Sequence, residues 1–205
     1  MSARRALLLD RDGVINHDAG YSHRWENFVF IDGIFELARA AHLRDYLLVV
    51  VTNQAGIGRG LYTEQDFHVL SARMCERFAA EGAPIARVYF DPTHPEHGVG
   101  EYRRESFFRK PNPGMLLQAA EDFDLALADS VLVGDKPGDI QAGRRAGVGC
   151  CLLYRPGNAV IASGDCMPTD QPTHQPAGTD GGNAVADEMR PTATLSCLAD
   201  AMRWL

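Results

Sequence analysis

Arg5-Ala6-Leu7-Leu8-Leu9-Asp10-Arg11-Asp12-Gly13 is a short apolar run that stops at two carboxylates and a glycine. A run with no polar alternation reads as a strand buried on both faces, the kind found in parallel sheets covered by helices. The pattern repeats along the chain. Tyr46 to Val51, Ala86 to Phe90, Val131 to Val133 and Gly149 to Tyr154 read as four more strands. Between them, residues 33–44 carry apolar side chains at helical spacing, and Thr63 to Ala80 opens with acidic first-turn residues. Asn112 to Phe123 is read as a helix with Asn112 as N-cap and Pro113 at its first position; Pro137 to Ala146 is a helix stopped by Gly147. Strictly alternating strands and helices predict an α/β fold: a Rossmannoid parallel sheet of about five strands, with helices on both faces. Ligands in such folds bind beyond the carboxyl ends of the strands. Asp10, Thr52 and the pair Gly134-Asp135 fall there.

The 205 residues predict one domain and a tail, and a chain of this length buries roughly 70% of its unfolded surface without any staple. Residues 1–155 read as the core. Residues 156–192 hold five of the eleven prolines among Gly, Ser, Thr and Asp, and read as a flexible excursion. Residues 193–205 read as an amphipathic helix returning to the core. A net charge of −7 argues against broad nucleic-acid binding. No apolar run is long enough to span a membrane, and no signal peptide fits the start. Five cysteines without a CxxC pair fit free thiols in the cytoplasm. Of 20 basic residues only Lys110 and Lys136 are lysines, which singles them out for roles needing a compact ammonium.

Asp10 and Asp12 lie two apart at a strand end, so extended backbone would aim both carboxylates one way. Such a pair needs a cation or a shared proton, and is a candidate Mg²⁺ site; strand-end carboxylates also simply cap turns. Thr52 ends the second strand and can donate to an anion. Gly56-Ile57-Gly58-Arg59-Gly60 is a glycine-rich loop with one cation. Arg109 and Lys110 precede a helix N-terminus, a setting that suits an anion. Gly134-Asp135-Lys136-Pro137-Gly138-Asp139 puts one Asp at a strand end and another in the first helical turn. Asp-x-Asp, then Thr, then Lys, then Gly-Asp-x-x-x-Asp, each at a carboxyl end, is a combination that chance rarely assembles.

That order resembles the haloacid dehalogenase superfamily of phosphatases, over residues 6–154. Asp10-Arg11-Asp12-Gly13-Val14-Ile15-Asn16, Gly20-Tyr21-Ser22-His23, Thr52 to Gly60 and Arg109-Lys110-Pro111-Asn112-Pro113-Gly114-Met115 narrow it. They resemble the heptose 1,7-bisphosphate 7-phosphatase family of the histidinol-phosphatase-like subgroup. The resemblance implies a capless fold, because neither interval where the superfamily inserts a cap domain has room for one. It implies a magnesium-dependent phosphomonoesterase acting through an aspartyl-phosphate, with Asp10 as nucleophile, Asp12 as general acid and base, and Thr52 and Lys110 on the phosphoryl oxygens. Mg²⁺ is expected on the Asp10 carboxylate, the Asp12 backbone carbonyl and Asp135, with Lys136 and Asp139 supporting. Substrate contacts are expected from Asp18, Ala19, Gly20, Tyr21, Asn53, Gln54, Ala55, Arg59 and Arg109. The substrate is then a small phosphorylated sugar in lipopolysaccharide or capsule precursor synthesis, handled by a monomer. The alternatives are histidinol phosphate, another sugar bisphosphate, or a catalytically silent binding module on the same fold.

One departure from the family stands out. Its members commonly hold a structural zinc in the long loop before Arg-Lys-Pro, through Cys-x-His and Cys-x-Cys. The matching positions here are Asp91, Thr93, Ser106 and Phe108, with no thiolate among them. No structural zinc is expected. Asp91, His94 and His97, spaced by three, are candidate substitute ligands, and Phe107 and Phe108 are expected to pack the loop down instead.

Overall fold

The computed structural model describes residues 3–157 and 188–205. Six parallel strands form one sheet: β1 (Arg5–Leu9), β2 (Tyr46–Asn53), β3 (Ile85–Asp91), β4 (Val131–Gly134), β5 (Cys150–Tyr154) and β6 (Ala193–Leu195), in the order β3-β2-β1-β4-β5-β6. The helices are α1 (Ile34–His42), a single turn α2 (Ala55–Gly58), α3 (Glu64–Ala80), α4 (Gly114–Phe123) and α5 (Pro137–Ala146). The α/β expectation holds, with six strands where five are legible in the sequence.

β1 lies at the middle. Leu7, Leu8 and Leu9 pair with Leu48, Val49 and Val50 on one side and with Val131, Leu132 and Val133 on the other. Successive side chains point to opposite faces. Leu7 and Leu9 join a core with α1, α3 and the C-terminal segment, while Ala6 and Leu8 pack with α4 and α5. All four are fully buried; each Leu contributes roughly 2 kcal/mol by leaving water. The order of strands reverses between β1 and β4, which opens a crevice beyond their carboxyl ends. Asp10 emerges into it.

Local chemistry sets the helix ends. Thr63 caps α3 reciprocally: its hydroxyl accepts the Asp66 N–H at 3.1 Å and Asp66 accepts the Thr63 N–H at 2.9 Å. Gly147 closes α5 with φ of 83°, which only glycine adopts freely. α4 departs from expectation. Pro113, not Asn112, is its N-cap, because the Asn112 amide donates to the Ser106 carbonyl at 2.8 Å and ties down the preceding loop.

The C-terminal segment also differs. Residues 193–205 were expected to be helical, but Ala193–Leu195 forms β6 on the open edge of β5, and only Leu198–Trp204 turns, as a 3₁₀ helix. The free edge of β5 decides this. The Arg155 N–H donates to the Leu195 carbonyl at 2.7 Å, and the Cys151 N–H to the Thr192 hydroxyl at 3.0 Å. Leu195, Leu198 and Ala201 then bury against α1. The excursion expected at 156–192 lies, but for its ends, outside the described residues. Among the described residues, no second domain covers the carboxyl edge of the sheet, and no helix is long and apolar enough to cross a membrane.

Candidate active site

Asp10 ends β1, and its N–H is held by the Val133 carbonyl at 3.0 Å. Its Oδ1 accepts the Arg11 N–H at 2.7 Å and faces Lys110 Nζ at 2.9 Å. Lys110 also reaches Asp139 Oδ1 at 2.7 Å and the Val51 carbonyl at 2.8 Å. All three ionisable side chains are nearly inaccessible. Burial opposes the Lys110 charge, but Asp10 and Asp139 outweigh it and hold the ammonium above the ordinary lysine value. For Asp10 burial dominates: it pushes the carboxyl up to about 7, Lys110 opposes, and Asp139 and Asp135 add to the rise. One lysine is therefore short of balancing the negative charge gathered here.

The main chain fixes where Lys110 starts. The Asn53 amide donates to the Lys110 carbonyl at 2.9 Å and accepts the Lys110 N–H at 3.0 Å. Asp139 serves two lysines at once, since its other oxygen accepts the Lys136 N–H at 2.9 Å. Two glycines permit the close approach. A Cβ on Gly13 would collide with the Asp135 carboxylate, and one on Gly134 with the Asp139 side chain.

Asp12 points away from that cluster. Its carboxylate accepts Arg11 Nη2 at 2.7 Å, Arg11 Nε at 3.1 Å, Asn16 Nδ2 at 3.0 Å and Gln54 Nε2 at 3.0 Å. Gln54 Nε2 also donates to the Thr52 hydroxyl at 2.8 Å, while Gln54 Oε1 accepts the Tyr62 hydroxyl at 2.6 Å. Tyr62 thereby fixes which end of the Gln54 amide faces Asp12. Burial pushes the Tyr62 hydroxyl up to about 12, so it remains a donor at neutral pH. Arg11 is 1% exposed, spanning Asp12, the Ser22 carbonyl at 2.8 Å and the Phe67 ring.

A cleft of about 310 Å³ opens above these groups, lined by Asp10, Asp12, Asp18, Gly20, Tyr21, Thr52, Asn53, Gln54, Ala55, Gly56, Tyr62, Arg109, Lys110, Lys136 and Asp139. Most of the residues singled out in the sequence converge on it. Ala19, Arg59 and Asp135 do not line it: Ala19 has no polar side-chain group to present, the Arg59 guanidinium lies over the Tyr21 ring, and Asp135 sits in the carboxylate cluster with Asp10 and Asp139. Lys136 Nζ meets Asp18 at 3.3 Å and Asp135 at 3.7 Å across the rim. Arg109 is half-buried; burial pulls it below the ordinary arginine value and Asp91 pushes the other way. In the sequence Arg11 and Asn16 stand out only as members of the Asp10–Asn16 motif, with no role assigned, and Tyr62 not at all. An arginine between two aspartates reads as surface charge, and the other two meet the site only through the fold.

Asp10, Asp135 and Asp139 bring carboxylate oxygens within 4.8 Å of one another, the sole group of this kind among the described residues. Both Asp139 oxygens are engaged as above. Asp135 Oδ1 is buried with no hydrogen-bond partner. Hard oxygen donors, surplus negative charge and an orphaned acceptor suit Mg²⁺. Arg11, Asn16 and Gln54 hold the Asp12 side chain outside the cluster, so the atom it can offer a cation is the backbone carbonyl expected from the sequence.

Burial is also the main cause that raises Asp135 above its ordinary 3.8. Ionising it in the fold therefore costs stability, a cost that sets in as pH rises above that value. In metal-free buffer, Asp135→Asn should match the wild type near pH 4 and melt about 3 °C higher by pH 8 in calorimetry. Mg²⁺ should raise the wild-type Tm and leave the variant nearly unmoved. A variant melting lower than wild type at pH 8 without Mg²⁺ would contradict this.

The zinc-matching loop is held differently from expectation. Phe107 and Phe108 remain 58% and 42% exposed, so they do not pack it down. Asp91 is buried and bonded to Thr93 and Ser106 instead. His94 Nδ1 accepts the N–H groups of Glu96 and His97, and Asp91, His94 and His97 do not converge as a ligand set.

Comparison with known proteins agrees with this geometry. A family profile described as HAD-hydrolase-like matches residues 107–177. A D-glycero-alpha-D-manno-heptose-1,7-bisphosphate 7-phosphatase of Burkholderia mallei is 67% identical over 149 residues, 73% of this chain and 79% of its own. A D-glycero-beta-D-manno-heptose-1,7-bisphosphate 7-phosphatase of Vibrio cholerae is 45% identical over 167 residues, 82% of this chain and 90% of its own. The crystal structure of a D,D-heptose 1,7-bisphosphate phosphatase from B. bronchiseptica, complexed with magnesium and phosphate, shares the fold with a TM-score of 0.70 at 23% identity, covering 97% of this chain and 96% of that one. The expected resemblance holds, and the chain belongs to the haloacid dehalogenase superfamily, as a phosphoric monoester hydrolase of its heptose-1,7-bisphosphate 7-phosphatase family.

Proposed function

We propose that this chain removes the 7-phosphate of D-glycero-D-manno-heptose 1,7-bisphosphate, with the α anomer preferred. The observation that carries the chemistry is the buried Asp10 carboxylate, held by Lys110 and the Arg11 N–H at the mouth of a polar cleft. The anomer rests on the 67% identity to an enzyme named for the α form, against 45% for one named for the β form.

An Asp10 carboxylate oxygen attacks phosphorus, and the bond from phosphorus to the sugar oxygen breaks. Asp12 delivers a proton to that departing oxygen, which leaves as an alcohol. Water then attacks the aspartyl-phosphate; Asp12 takes its proton, phosphate leaves and Asp10 is restored. Asp12 is saturated with donors in the resting site, so reaction requires it to exchange one of these contacts for the substrate oxygen. Thr52 and Lys110 hold phosphoryl oxygens. Mg²⁺, held by the Asp10 and Asp135 carboxylates and the Asp12 carbonyl, would neutralise charge between nucleophile and phosphate. A silent binding module would have no use for a nucleophile clamped in this way.

The product keeps its anomeric phosphate, as nucleotidyl transfer to a sugar 1-phosphate requires, which supports a role in precursor synthesis for lipopolysaccharide or capsule. We assign it to the cytoplasm, in keeping with its free thiols at Cys75, Cys150, Cys151 and Cys197, and read it as a monomer because the cleft is built by one chain.

Among the described residues no cap covers the cleft, so selectivity falls to the rim. Arg109 is placed to grip the second phosphate with the guanidinium nitrogens that Thr93 leaves free. Arg109→Ala should raise KM for the bisphosphate about tenfold or more, and KM for a simple phosphomonoester far less. Equal losses in steady-state assays of both substrates would refute this role.

A further inference from the structure

Asp91 ends β3 beside the cleft, 3% exposed, with both carboxylate oxygens in use. Oδ1 accepts the Thr93 N–H at 2.9 Å and the Thr93 hydroxyl at 2.5 Å. Oδ2 accepts the Ser106 hydroxyl at 2.5 Å, and Ser106 Oγ in turn accepts the Phe108 N–H at 3.1 Å. The four positions that would hold zinc elsewhere in the family are thus closed by hydrogen bonds. They present no thiolate and no imidazole, and Phe108 has no donor atom, so they do not fit a tetrahedral zinc site.

This knot reaches the cleft in one step. The Thr93 carbonyl, on the residue that Asp91 pins twice, accepts Arg109 Nη1 at 2.8 Å. The Ser106 carbonyl, on the other residue it pins, accepts the Arg109 N–H at 3.3 Å and the Asn112 amide at 2.8 Å. Both ends of Arg109 therefore hang from residues that one buried carboxylate fastens. The Asp91 main chain does a separate job, since its carbonyl accepts the Gln54 N–H at 2.7 Å and a side-chain substitution leaves that bond in place.

We infer that Asp91 is a positioning residue for the second phosphate: through Thr93 and Ser106 it aims the Arg109 guanidinium, performing with one carboxylate and two hydroxyls the loop-fastening that a metal clip performs in relatives. The inference rests on the Arg109 role proposed above. Ordering Arg109 in advance lowers the entropic cost of engaging the substrate, so the effect belongs in KM for substrates that carry a second phosphate.

The test is steady-state kinetics on heptose bisphosphate and on a simple phosphomonoester, with Asp91→Ala, Asp91→Asn, Ser106→Ala, Arg109→Ala and the Asp91→Ala/Arg109→Ala double variant. Asp91→Ala should raise bisphosphate KM about fivefold, with kcat within about twofold and a much smaller change on the monoester. Asp91→Asn should recover part of the loss, because its amide can accept from Thr93 and donate to Ser106. On the Arg109→Ala background, Asp91→Ala should add less than about twofold, since the two act in series. Should Asp91→Ala fail to fold, Ser106→Ala, which deletes one hydroxyl, should still raise bisphosphate KM selectively.

Equal losses on both substrates, or additive effects in the double variant, would overturn the inference and leave Asp91 a general structural residue. If Arg109→Ala itself is unselective, the second-phosphate reading of Arg109 falls first. If Arg109→Ala is selective and both Asp91→Ala and Ser106→Ala are not, only the present inference falls. One equivalent of zinc in the purified protein by elemental analysis would also overturn it.

Discussion

Asp10→Asn is expected to lower turnover about ten-thousandfold while leaving the fold intact. An amide oxygen can still accept the Arg11 N–H and Lys110 contacts that hold Asp10 Oδ1. What is lost is the nucleophile, because a neutral amide attacks phosphorus far more weakly than a carboxylate. Stability should not fall, since the substitution removes one of three crowded carboxylates and Asp139 still pairs Lys110. Phosphate release measured beside a thermal melt separates the two effects. Retention of more than about 1% of turnover in a folded variant would contradict a covalent intermediate on this residue.

The sheet and the cluster around Asp10 were legible because both depend on short-range pattern. Leu7-Leu8-Leu9 reads as a doubly buried strand wherever it falls, and a carboxylate, a hydroxyl or a Gly-Asp pair directly after such a run must emerge at the sheet's carboxyl edge. Lys110 stood out because the chain uses arginine for nearly every other positive charge. The supporting residues were illegible for the opposite reason. Tyr62 meets Gln54 because α2 turns the chain back, and Arg11 is buried because Phe67 of α3 covers it, and neither contact leaves a spacing to read. β6 escaped because Ala193-Thr194-Leu195 is too short to show a period; the vacant edge of β5 makes it a strand. The loop of residues 91–111 was misread in its fastening. Two adjacent phenylalanines suggested apolar packing, whereas the Asp91 carboxylate lies within reach of two hydroxyls and holds the loop through polar bonds, leaving both rings at the surface. Arg59, expected on the substrate, lays its guanidinium over the ring of Tyr21, a residue that lines the cleft.

The substrate is the claim on which the rest depends. A site built to bind a second phosphate disfavours a substrate lacking it, because the half-buried Arg109 is then left without its anionic partner. The α anomer of heptose 1,7-bisphosphate should therefore exceed histidinol phosphate in kcat/KM by about a thousandfold, and should exceed the β anomer as well. Phosphorus NMR of the reaction with Mg²⁺ and the α bisphosphate tests this most directly, because it shows at once which ester is cut. The account predicts loss of the C7 phosphate resonance, appearance of inorganic phosphate and persistence of the anomeric phosphate. Loss of the anomeric phosphate, or no turnover of the bisphosphate by enzyme that hydrolyses histidinol phosphate, would contradict it.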